Sequence, residues 1–157
     1  MKDKMLSGGF FRLQITECEG GKKKVVGDSG WNKNMLTNLG VQHFIVEQMA
    51  SVSGSSVISY AAFGSAGTVA STMTAIPAEI ATAAGRFAVV GSVQASRTLR
   101  YTGSLASNVL PATTIGNVGV YAVSSTNSGS MFAGNTFASS ALATNQAVNL
   151  TYDFQFP

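Results

Sequence analysis

Residues Gly27, Asp28, Ser29 and Gly30 spell GDSG, the tetrapeptide that surrounds the nucleophilic serine in one large class of proteases. Such a serine attacks because a histidine takes its proton and a carboxylate orients that histidine. The chain has a single histidine, His43, flanked by Phe44 and Ile45 in a stretch with helical spacing. A packed or edge-facing imidazole is the role expected of it there. In the proteases the tetrapeptide lies late in a much longer double-barrel chain, whereas here it starts at residue 27. Ser29 therefore reads as a loop residue.

Other reactive chemistry is equally thin. Cys18 and His43, one of each type, cannot furnish a zinc quartet, and a lone cysteine cannot close an internal disulfide. No DxDxDG-like cluster offers calcium its oxygens. The GSAGT that starts at Gly64 lacks the lysine and spacing of a phosphate loop, and GNVGVYAV lacks a following helix. Seven acidic residues, most of them in the N-terminal segment, leave few carboxylate pairs for acid–base work. The expectation is a protein that is not an enzyme, with no catalytic, cofactor-binding or metal-binding residues, no cofactor and no small-molecule substrate.

The elements that would position any site read mostly as strands. In FFRLQITEC, Phe11, Leu13 and Ile15 alternate with Arg12, Gln14 and Thr16, the two-residue period of a half-buried strand. Gly20 and Gly21 then make a turn, and a second strand around Val25 and Val26 completes a hairpin over residues 9–28, preceded by an extended arm over 1–8. TNLGVQHFIVEQMAS predicts the main helix, over about 37–51, capped by Thr37 or Asn38, with Val41, Phe44, Ile45 and Met49 facing the core. Val57 to Phe63 reads as a strand followed by a small-residue loop. Pro77 and Gly85 suit the two ends of a short second helix over about 77–84.

From Arg86 onward FAVVGSV, RTLRYTG, NVGVYAVSS, SMFAGNTF and AVNLTYDFQF alternate with Gly, Ser, Asn and Thr punctuation, so residues 57–157 read as a mainly β body. In the last run Val148, Leu150, Tyr152, Phe154 and Phe156 point one way, and Asn149, Thr151, Asp153 and Gln155 the other. The chain of 157 residues suits a single domain. The expected fold is mainly β, a β-sandwich or jelly-roll-like barrel with the main helix packed on an edge or end.

Charge is scarce and unevenly placed. Charged residues make up 11% of the chain, against about 25% in ordinary domains, so part of the surface is expected to be covered by other subunits. Residues 1–33 hold Lys2, Lys4, Arg12, Lys22, Lys23, Lys24 and Lys33 against Asp3, Glu17, Glu19 and Asp28. The remainder carries Glu47, Glu79, Arg86, Arg97, Arg100 and Asp153. The GGKKK run is read as a solvated hairpin tip, with contact to an acidic partner as the alternative. Glu79 and Arg86, isolated in a charge-poor segment, are expected to pair, within the chain or across subunits. Arg97 and Arg100 would face opposite sides of a strand, with at least one reaching a neighbouring subunit. Basic residues are not spread along a face with aromatics between them, so nucleic-acid reading is not expected. No apolar run approaches the roughly 18 residues of a membrane helix, and the N-terminal MKDKMLSGGF lacks the apolar stretch of a signal peptide. The chain is expected to be made and kept in a cytoplasm-like compartment, with no membrane partner.

Asn34, Thr37, Asn38 and Gly40 at the helix start; Phe63, Gly64, Gly67 and Thr68 after a strand; Pro77, Glu79 and Arg86; and Gly119 with Tyr121 form a set of turn-and-pattern signals. Together they resemble those of a family of small tailed-bacteriophage virion proteins. The resemblance spans roughly residues 29–156. Ser65 and Ala66 depart from the family's tighter Gly-Thr-Gly spacing, and Asn117 stands where an acidic residue is common. It implies a virion part that binds copies of itself and other virion proteins, such as a major capsid or tail protein. A capsid decoration (cement) or minor capsid protein is the leading version. A tail, baseplate or fibre-attachment component with a receptor- or carbohydrate-binding role is the alternative. On this reading Trp31 anchors the hairpin end on the core, and Asn34 to Asn38 turn the chain into the helix.

Overall fold

A computed structural model describes residues 8–46, 50, 57–82, 85–95 and 97–155. The chain is mainly β and forms two sheets. The strands are β1 (Gly8–Glu19), β2 (Lys22–Asp28), β3 (Asn32–Lys33), β4 (Met35–Leu36), β5 (Tyr60–Gly64), β6 (Phe87–Ala88), β7 (Val90–Ala95), β8 (Thr98–Leu105), β9 (Thr113–Tyr121), β10 (Met131–Leu142) and β11 (Gln146–Gln155). Sheet A runs β2-β1-β11-β8-β7, with β3 also on β1; sheet B runs β4-β10-β9-β5-β6. Four antiparallel pairings are nested along the chain: β1 with β11, β4 with β10, β5 with β9 and β7 with β8. The chain thus runs out and doubles back on itself, its first described strand closing on its last.

Alternation decides which faces meet. Phe11, Leu13 and Ile15 of β1 and Val148, Leu150, Tyr152 and Phe154 of β11 share one core with Phe63, Ile115, Val118, Val120 and Phe132 of sheet B, an arrangement consistent with a β-sandwich. Sheet B also has a second, smaller core on its outer side. There Val69 and Ile76, from the loop after β5, cover Ala62, Tyr121 and Met131. Strands β5 and β9 are therefore buried on both faces along most of their length. The loop is held down by Asn117, whose fully buried amide donates to the carbonyls of Ala66 (2.8 Å) and Pro77 (3.2 Å). Gly64 must be glycine beside it, since a Cβ there would lie 2.1 Å from the Asn117 oxygen.

The helix begins at the expected cap. Thr37 is the cap: its Oγ accepts from Gly40 N–H (2.9 Å) and donates to the Met131 carbonyl. Helix α1 covers Asn38–Val41 and widens into a π-helical turn at Gln42–Val46. Residues 47–49 and 51, the rest of the expected helix, lie outside the described residues, as do Met49 and the side chain of His43. Phe44 and Ile45 pack on the main core, whereas Val41, expected to join them, is exposed.

Two further expectations need correction, and a third falls mostly outside the described residues. No helix forms over the described part of 77–84: Ala78 has φ 48°, outside the helical region, and Glu79 makes an isolated bridge to Gly64. The side-chain pairing of Glu79 outweighs the helix signal of Pro77. Strand β5 starts at Tyr60 rather than Val57, although Ser59 already donates its N–H to the Tyr121 carbonyl (2.9 Å). Of the expected arm, residues 1–7, with Lys2 and Lys4, lie outside the described residues, and Gly8 already pairs with Gln155. Phe156 also lies outside them. No helix among the described residues is long and apolar enough to cross a membrane.

Candidate functional site

The GDSG segment is a latch between strands. Ser29 Oγ accepts from Leu13 N–H (2.9 Å) and donates to the Gly30 carbonyl (2.8 Å). The carboxylate of Asp28 accepts from Arg12 Nε (3.0 Å), Gly30 N–H (2.9 Å) and Gln14 Nε2 (3.0 Å). The Arg12 guanidinium, then these two other donors, hold the Asp28 carboxyl well below the usual carboxylate range. Beside the latch, a hollow of about 300 Å³ opens between the sheets over Leu13, Ile15, Ile115 and Phe137. Among the described residues no three His, Cys, Asp or Glu side chains gather to hold a metal.

Glu79 and Arg86 form a salt bridge with side chains 1% and 0% exposed. Arg86 Nε donates to Glu79 Oε1 (2.8 Å) and Nη2 to Oε2 (3.0 Å), the bidentate fork that suits a carboxylate. Nη1 donates to the carbonyls of Ser128 (2.7 Å) and Val123 (3.3 Å), and the guanidinium lies 3.3 Å from the centre of the Tyr121 ring. Glu79 Oε2 also accepts from Asn127 N–H (3.2 Å). Burial pushes the Tyr121 phenol up to about 12, and its hydroxyl accepts from Ile76 N–H (2.9 Å). The contacts of this cluster tie loops to one another and to the end of β9. The sequence marks the pair by its isolation, but gives no sign of Tyr121 beneath it.

On the outer face of sheet A, Arg100 of β8 and Asp153 of β11 sit opposite each other and make two hydrogen bonds of 2.6 Å. Trp31 is 48% exposed, with its ring centre 5.7 Å from the Arg100 guanidinium carbon. The expected anchoring of Trp31 in the core is thus corrected. The inward positions of β1 are taken by Phe11, Leu13 and Ile15, and Trp31 stands at an open hollow of about 400 Å³ with Phe10, Arg100, Asp153 and Gln155.

The other candidates scatter. Lys22, Lys23 and Lys24 lie exposed along β2, with Glu19 opposite Lys22 and Glu17 opposite Lys24. Asn34 donates its N–H to the Gly9 carbonyl (2.8 Å), and its buried Oδ1 sits with the Tyr152 hydroxyl at a spot where only a glycine at position 9 fits. Asn38 is the first residue of α1, exposed, with its N–H on the Ser71 carbonyl (2.8 Å). Arg97 is not on a strand face but in the turn before β8, so it does not oppose Arg100 as expected.

No known family model, curated protein or solved structure matches this chain.

Proposed function

We propose that this chain is a non-enzymatic structural protein of a tailed-bacteriophage virion, made in the host cytoplasm, that binds its own copies and a larger protein lattice. Capsid decoration is the leading version, and a jelly-roll-like sandwich is the finer fold that the nested strand pairing favours. One observation carries the reading: the charged and polar groups with shape-specific contacts are spent on holding the fold, while uncharged surface is left open. Arg12 with Asp28, Arg86 with Glu79 and Arg100 with Asp153 are all internal pairs. The most exposed large apolar side chains, Val90 and Val93, adjoin no charge on their strand. Such a surface favours protein neighbours over reactive chemistry. The residues behind the family resemblance also serve packing: Gly40 lies against Phe132, Gly64 against Asn117, and Glu79 and Arg86 against Tyr121. Antibody labelling of intact particles is expected to place the chain on the head surface. Its absence from purified particles would refute the proposal.

The Trp31 hollow favours a second reading, a saccharide-binding role at a tail tip, because an exposed indole beside an acid–base pair and an amide suits a sugar's apolar face and hydroxyls. On a glycan array the purified protein would then bind a ligand that Trp31→Ala loses. Signal that survives the substitution would exclude this hollow as the site.

A further inference from the structure

The two edges of sheet A differ in kind. At one edge β2 carries Lys22, Lys23 and Lys24, the charges that proteins use to keep a strand edge from pairing with another chain. At the other edge β7 reads Val-Gly-Ser-Val-Gln-Ala, has no charge and is exposed along its whole length. Val90 is 71% and Val93 77% exposed.

Val93 pairs with Leu99, and Leu99 with Phe154 of the core, so Val93 belongs to the core-facing side of sheet A. It is nonetheless uncovered, because the opposing sheet ends in β6, a strand of two residues. Edge strand and uncovered core face together form an unfinished end of the sandwich.

We infer that the β7 edge pairs with the β7 edge of a second copy of this chain, antiparallel across a two-fold axis, joining two A sheets into one. The inference deepens the self-association part of the function proposed above and rests on it. Charge selects the occupant. In a two-fold pairing every residue meets its own strand again, so a charged edge would oppose like charges, as β2 would. Val90–Ala95 meets itself without that penalty and offers unpaired backbone groups to the ladder. Strand pairing alone is small against the roughly 800 Å² per partner of a stable interface. The uncovered Val93 face supplies adjoining apolar area, which would be buried against the partner.

Analytical ultracentrifugation of the full chain tests this. The wild type is expected to dimerise, and Val93→Lys to raise the dissociation constant by about tenfold or more, since it puts like charges on both strands of the seam. A mixture of Val93→Lys and Val93→Glu chains should regain association that neither has alone. Circular dichroism and thermal melting should show both variants folded, because position 93 is exposed. Hydrogen exchange at Val90–Ala95 should slow as protein concentration rises. A wild type that stays monomeric, or a Val93→Lys chain that associates as tightly as wild type, overturns the inference. Particle labelling answers the virion question separately, so the two can fail independently.

Discussion

Sheet B is closed and sheet A is open. The outer face of sheet B is covered by the chain's own loop, with Val69 and Ile76 packed on Tyr121 and Met131 and a buried ion pair beside them. Sheet A leaves its outer face to solvent and one uncharged strand at its edge. The difference shows how a charge-poor chain can spend its few ionic groups. Glu79 and Arg86 are used inside, where they fix loops, and the surface that is left uncharged lies at the β7 end. Burying a pair is costly unless every charge finds partners. Here the carboxylate and the guanidinium are both fully engaged by the fork, the Ser128 and Val123 carbonyls and the Asn127 N–H.

Removing one partner of that pair should have the largest effect. Arg86→Ala leaves a buried carboxylate without its cation and is expected to cost about 3–5 kcal/mol, read as a fall in denaturation midpoint. Glu79→Gln with Arg86→Met should cost clearly less than Arg86→Ala alone, since neither charge is then stranded. A double variant as unstable as the single one would mean that the loop depends on these contacts for shape and not for charge balance. On the open side, Val93→Lys should change monomer stability by no more than about 0.5 kcal/mol while disrupting association. An equal loss of stability there would erase the contrast between the sheets.

The smallest effect belongs to the exposed latch of Asp28 with Arg12. The folded-state pKa of Asp28 is depressed, so its contribution is present above the unfolded value of about 3.9 and is lost as pH falls from there through the folded pKa. Acid titration by NMR should find Asp28 still ionised near pH 3, and Arg12→Gln should move its midpoint back toward ordinary aspartates. A normal midpoint in the wild type would show that the latch is not held in solution.

Much of sheet A was legible because its signal is local. The alternation in β1 and β11 sets the buried face residue by residue, and Gly20 and Gly21 mark the turn to β2. The second helix does not form because Pro77 and Gly85 are equally suited to a loop, and the deciding contact, Glu79 with Arg86 over Tyr121, joins residues up to 35 apart in sequence. Trp31 lies outside the core that the resemblance implies for it because the inward positions on β1 are already filled. The pairing of Arg100 with Asp153 is likewise invisible until β8 and β11 lie side by side.

The amino-acid sequence by itself determined a β-rich chain, the faces its longest strands bury, the capped start of its helix and the poverty of reactive groups, because each follows from neighbours a few residues apart. Only the tertiary structure decided which loop covers sheet B, which charges meet and which strand is left at an edge. Those outcomes depend on which distant segments exclude water from one another, and that is settled when the whole chain packs.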